Sequence, residues 1–151
     1  MKYLYIIFLV AIGCSENRSY RLEGIASLDA QTRSVLADSV FQINARTLRP
    51  IVGEKGAYPV VIEWASELGA ARVGHVVVTA SSCHITLKNS LIGNPNLLKS
   101  VFVHEFGHCA GLQHEVNSGE IMSPDAVPWS NYSEAALNHF VHRLLWNAAI
   151  H

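Results

Sequence analysis

The residues best able to do chemistry lie within "VFVHEFGHCAGLQHE", Val101 to Glu115, which contains three histidines and two glutamates in an otherwise apolar stretch. On a helix, residues four apart are separated by about 400°, so His104 and His108 leave the same face about 6 Å apart along the axis. Two imidazoles can then reach one metal ion. On a continuing helix His114 would sit about 240° round from His108, so a left-handed stop at Gly111 is needed to swing it back. Three neutral imidazoles and one open position suit a catalytic zinc ion, Zn2+, better than a structural one, which is closed by four protein ligands. Glu105, next to His104, can accept a proton from water at that position, where zinc lowers the water pKa toward about 7.

These side chains need a helix, a turn and a packed support. The helix is expected from Pro95 or Asn96 to Gly111. A loop through Pro124 and Pro128 follows, and then a final helix starts near Asn131 to Ser133, where Asn131 and Glu134 have capping-box spacing. In that last helix Leu137, Phe140, Val141, Leu144, Leu145 and Ala148 share one face, with Asn138, His142, Arg143 and Asn147 away from it. Upstream, Leu28, Val35, Leu36, Val40, Phe41 and Ile43 predict an amphipathic helix over Leu28 to Thr47 that stops near Pro50. "VVIEW", "GHVVVTA" and "HITLK" then read as strands, giving one helix followed by three or four strands. The fold class is α+β in a single domain over 25–151.

The eleven residues "HEFGHCAGLQH" resemble the metzincin motif His-Glu-x-x-His-x-x-Gly-x-x-His, and "GEIMSP" downstream resembles the metzincin Met-turn, with Met122 as its methionine. Within that clan the HEFGH, the Gly-Leu before the third ligand, the histidine-to-methionine spacing and the proline after the turn are most similar to matrixins. Glu115 departs from the usual matrixin serine and agrees with astacins, whereas Pro124 stands where an astacin has tyrosine. The resemblance implies a zincin-like catalytic domain with a small mixed twisted sheet. It also implies a zinc metalloendopeptidase with His104, His108 and His114 as metal ligands, Glu105 as general base and Met122 beneath the site. Extended protein or peptide substrate is expected along an edge strand. The competing reading is a surface lipoprotein that keeps this scaffold without catalysis and serves as a binding module.

The chain opens with "MKYLYIIFLVAIGC": Lys2, an apolar run of ten residues from Tyr3 to Ile12, then Gly13 and Cys14. That run is too short to span a bilayer as a helix but suits a signal-peptide core. Its end resembles a bacterial lipobox, with Ala11 where leucine is usual. The resemblance implies a signal peptide over 1–13, a lipid anchor on Cys14 and a polar tether over 14–24, hence an extracytoplasmic, membrane-anchored protein. Outside the cytoplasm Cys83 and Cys109 can form a disulfide, and two buried thiols are the other reading.

Other candidates are weaker. His75 and His84 lie in the strand region without carboxylate spacing to support a second zinc, and no calcium pattern is recognisable. His139 and His142 read as surface residues. Trp64, Trp129 and Trp146 read as core or rim packing, with Trp129 bordering a pocket after the Met-turn. Net charge is −1, or −2 without the leader that carries Lys2, and no basic stripe is interleaved with aromatics. Nucleic acid is excluded as a partner, and a monomer is expected.

Overall fold

The computed structural model describes residues 19–69 and 72–150. The signal-peptide reading, Cys14 and the expected tether as far as residue 18 lie outside them. In chain order the elements are β1 (Tyr20–Glu23), α1 (Ala30–Asn44), β2 (Tyr58–Ala65), β3 (Gly74–Val78), β4 (Cys83–Lys88), α2 (Pro95–Cys109) and α3 (Glu134–Ile150). The strands form one mixed sheet in the order β1-β2-β4-β3. β1, β2 and β4 run parallel, and β3 closes the far side antiparallel to β4. This is an α+β fold. Among the described residues no helix is long and apolar enough to cross a membrane.

The expected tether is corrected at its end, because residues 20–23 form a strand before the first helix. Tyr20 is buried, with its ring edge-on to Tyr58 at 5.8 Å and to Phe106 at 5.1 Å. Four residues with one aromatic anchor are too short to show a strand period, so only long-range packing reveals the element.

Alternation on β2 and β4 sets the core. Tyr58, Val60 and Ile62 on β2, with Cys83, Ile85 and Leu87 on β4, are buried, while Glu63, His84 and Lys88 point from the opposite face. α2 crosses the buried face through Leu98, Val101, Phe102, Val103 and Phe106, and α1 packs beside α2. α1 is shorter than expected. Asp29 caps its start by accepting from the Thr32 N–H at 2.9 Å, and it ends at Asn44, six residues before Pro50. The Asn44 amide oxygen accepts from the Ile51 and Val52 N–H groups at 3.0 and 3.2 Å, which holds the chain in a turn. Phe41, expected on the apolar stripe, is exposed; Leu36 and Ile43 carry the buried face, together with Thr32 and Ser39.

α2 begins at an Asn94 cap with Pro95 in the first turn. Its last residue, Cys109, is disulfide-bonded to Cys83 at the start of β4, with Cα atoms 5.6 Å apart, so the bonded alternative holds. The bond ties the end of the histidine helix to the sheet. The cap of α3 is Ser133, whose hydroxyl accepts from the Ala136 N–H at 3.1 Å. Asn131 lies instead in a 3-10 turn, so the capping-box expectation is corrected. Ala136, Leu137, Phe140, Val141 and Leu144 bury the inner face of α3.

Candidate metal centre

His104 and His108 stand on one face of α2, one turn apart, as their spacing requires. Two residues past the end of the helix stands Gly111, which has φ +83°, a left-handed value that side-chain-bearing residues rarely adopt. The Leu112 N–H donates to the Gly107 carbonyl at 2.9 Å and the Gly111 N–H to the His108 carbonyl at 2.9 Å, the paired bonds of a Schellman stop. This turn brings His114 back. The Nε2 atoms of the three rings form a near-equilateral triangle: His104 to His108 3.1 Å, His108 to His114 3.1 Å, His104 to His114 3.2 Å.

The other face of each helical imidazole shows what the triangle is for. His104 Nδ1 lies 2.8 Å from the Ile121 carbonyl, and His108 Nδ1 lies 2.8 Å from the Leu112 carbonyl. A carbonyl only accepts, so each Nδ1 carries the proton and each Nε2 presents a lone pair. Lone pairs converging at 3.1 Å repel unless a cation lies between them. A tetrahedral ion with metal–nitrogen bonds of about 2.0–2.1 Å would separate its ligand nitrogens by about 3.3 Å, close to the separations seen. The donor set therefore fits a divalent metal ion, held by His104, His108 and His114.

Met122 is buried beneath the helix. A Cβ added at Gly107 would meet Met122 Sδ at 2.4 Å and Phe140 at 2.9 Å, so only glycine fits between the two helical histidines. The neighbouring Ile121 carbonyl orients His104, and the Met122 carbonyl accepts from the Glu115 N–H at 2.9 Å. One short segment thus supports both the first and the third histidine.

The histidines open into a cleft of about 570 Å³, whose lining includes Glu105, Arg72, Gly74, Val101 and Asp125. Burial pulls His104 down to about 4, reinforced by the two neighbouring imidazoles and opposed by the Ile121 hydrogen bond. Burial likewise lowers His108. Both rings therefore stay neutral, the form that binds metal, at pH values where free histidine is protonated. The same burial pushes the Glu105 carboxyl up to about 7, against a downward pull from the Arg72 guanidinium. A carboxyl with that pKa can exchange a proton near neutrality.

Gly74, at the start of β3, has no signal in the local sequence pattern. A Cβ there would lie 2.4 Å from Glu105 Oε1 and 2.7 Å from Val101 Cγ1, so the bare backbone makes room for the carboxylate. The Ile121 and Leu112 carbonyls were equally hidden, because backbone acceptors carry no residue-type signature.

The remaining candidates do not join the ligand group. His84 Nδ1 lies 3.6 Å from Glu63 Oε1, while His75, opposite Thr86 on β3, lines the same cleft as the triangle but is not one of the three residues that could hold an ion. Trp129 does not border the histidine cleft. It lines a smaller cavity with Lys99 and Asp38, and the Lys99 ammonium lies 4.5 Å from its ring centre, so the pocket expectation is corrected. Trp64 packs against the core, and Trp146 is exposed. His142 is exposed, and His139 meets Glu120 at 3.2 Å. In comparisons with known proteins, no family model matches the chain and no curated protein matches its sequence.

Proposed function

We propose that this chain is a zinc-dependent endopeptidase of metzincin type, most like the matrixins, acting outside the cytoplasm. The observation that carries the reading is the triangle of Nε2 atoms at 3.1–3.2 Å, opening into the same cleft as a buried glutamate with a raised pKa. A metal site built only to stabilise a fold is normally closed by a fourth protein ligand. Among the described residues, the group that could hold an ion here has three members.

A zinc ion held by His104, His108 and His114 would supply Lewis acidity toward a peptide carbonyl and toward water at the site. The protein does the rest. His104 and His108, locked by carbonyls at Nδ1, aim their lone pairs before any ion arrives, so little reorganisation is needed. Glu105, which lines the same cleft as the three histidines, would take a proton from the attacking water onto its carboxylate and deliver it to the leaving amine. Among the described residues β3 lies at the end of the sheet with no strand partner on one side, so an extended peptide can lie along it and gain backbone hydrogen bonds. The Cys83–Cys109 bond supports an oxidising compartment, in keeping with an exported and lipid-anchored protein.

The test uses purified chain loaded with one equivalent of zinc. It is expected to cleave an unfolded protein, and Glu105→Ala is expected to retain zinc while losing at least about a hundredfold in rate. Zinc-loaded protein that cleaves nothing across a broad peptide library would leave only a binding role.

A further inference from the structure

His104 and His108 are held by their own helix, but His114 belongs to the chain beyond the Gly111 turn and is exposed. What fixes the third histidine therefore has to come from elsewhere. Its two neighbours are both held by Arg143 on α3. One guanidinium nitrogen, Nη1, donates to Glu115 Oε1, and the other, Nη2, reaches the Gln113 carbonyl at 3.5 Å. The Glu115 N–H is in turn tied to the Met122 carbonyl. The ion pair is shielded, with the Glu115 side chain 16% and the Arg143 side chain 27% exposed. His139, one turn earlier on α3, adds a contact from Nδ1 to Glu120 at 3.2 Å and lies 3.9 Å from Glu115.

We propose that Arg143 and Glu115 are positioning residues for the metal centre: the last helix clamps both sides of His114 and so holds the third ligand where His104 and His108 need it. The inference rests on the metal reading of the three histidines. Glu115, Glu120 and His139 also bring ligand atoms within 4.8 Å of one another and could be taken for a second cation site. Arg143 already supplies a positive charge to Glu115 from within the protein, which favours an ion-pair network over a bound metal. A planar fork is needed to reach a carboxylate and a carbonyl together, so arginine is not replaceable by lysine here.

The experiment measures zinc affinity of the full chain by competition with a chromophoric chelator, with cobalt absorption as a report on ligand geometry and thermal unfolding of the metal-free protein alongside. Arg143→Met and Glu115→Gln are each expected to weaken zinc binding by about 10- to 100-fold, the range for losing a group that orients a ligand. The double variant should be little worse than either single one, because both remove the same clamp. Arg143→Lys, which keeps the charge and serves if Arg143→Met does not fold, should weaken binding by several-fold and alter the cobalt spectrum. Tight wild-type binding with affinities in all these variants within about twofold of it would overturn the clamp while leaving the metal reading intact. A wild-type chain that binds neither zinc nor cobalt overturns both. A second equivalent of cobalt that disappears in His139→Ala, with the first unaffected, assigns the group to a cation and also overturns the clamp.

Discussion

Two groups of ionisable side chains lie close together in this molecule, and each could be mistaken for the other. His104, His108 and His114 converge on one point, as do Glu115, Glu120 and His139 a few residues away. They differ in what lies behind the converging atoms. In the first group two backbone carbonyls hold the far nitrogens of His104 and His108, leaving their lone pairs aimed inward with no cationic side chain of the described residues bonded to them. In the second, Arg143 already answers Glu115, and His139 Nδ1 lies 3.2 Å from Glu120. Proximity of ligand atoms is thus a weak signal. The orientation imposed from behind, and the absence of an internal cation, distinguish a metal-ready group from a salt-bridge network.

The strongest way to break this comparison is to remove one member of each group. His108→Ala is expected to reduce zinc affinity by more than the roughly 10- to 100-fold typical of losing an outer hydrogen-bond partner, whereas His139→Ala should leave the zinc stoichiometry unchanged. Titration with zinc by calorimetry checks both. Next in size is the disulfide behind His108. It closes a loop of sequence separation 26, so replacing both cysteines by serine is expected to destabilise the protein by about 3.5 kcal/mol in denaturant unfolding.

The pH dependence of the metal-free protein separates His104, in the first group, from Glu105 beside it. The Glu105 carboxyl is raised from 4.5 to about 7 on folding, so the native state holds a proton that the unfolded chain releases between those values. Its contribution is present below pH 4.5 and is lost as pH rises through 7. His104, lowered to about 4, acts in the opposite direction, and its contribution is lost as pH falls from 6.5 toward 4. Glu105→Gln is therefore expected to stabilise the metal-free protein at pH 8 by up to about 3 kcal/mol, with the difference vanishing near pH 4.5. Melts at the two pH values decide this, and a Gln variant no more stable at pH 8 would contradict the burial argument.

Gly74→Ala tests the same carboxylate sterically. The added methyl group would meet Glu105 Oε1, and a displacement of about 1 Å is expected to reduce peptide cleavage about a hundredfold while zinc stays bound. The smallest effect should come from the sheet histidine. His84→Ala removes only a partly exposed contact with Glu63 and is expected to change stability by less than about 0.5 kcal/mol, with zinc binding unaltered.

Much of the candidate metal centre was legible because its parts are local. The four-residue spacing of His104 and His108 sets their common face, and Gly111 marks the helix stop without reference to the rest of the chain. The elements carried by periodic apolar residues, α1, α2, α3 and β2 to β4, were legible for the same reason. Tyr20 escaped because a four-residue strand has no usable period and is revealed only by the rings of Tyr58 and Phe106. Asn131 looked like a cap but lost that place to Ser133, two residues on, whose hydroxyl accepts from the Ala136 N–H in the first turn of α3. Arg143 and Asn147 read as outward-facing on their helix, yet Arg143 holds Glu115 and Asn147 donates to the Ala110 carbonyl at 3.3 Å.

By itself the amino-acid order determined which residues could share a metal and where the helix carrying two of them had to end, since helical geometry repeats every 3.6 residues whatever surrounds it. Tertiary structure decided the rest: the return of His114, the ring nitrogens left free for a cation, the Cys83–Cys109 bond and the clamp from α3. It also decided that Glu105 would be buried against Gly74 with its pKa near neutrality. Those outcomes depend on groups far apart in the chain, and only packing determines which carbonyl, guanidinium or bare glycine backbone arrives beside each functional side chain.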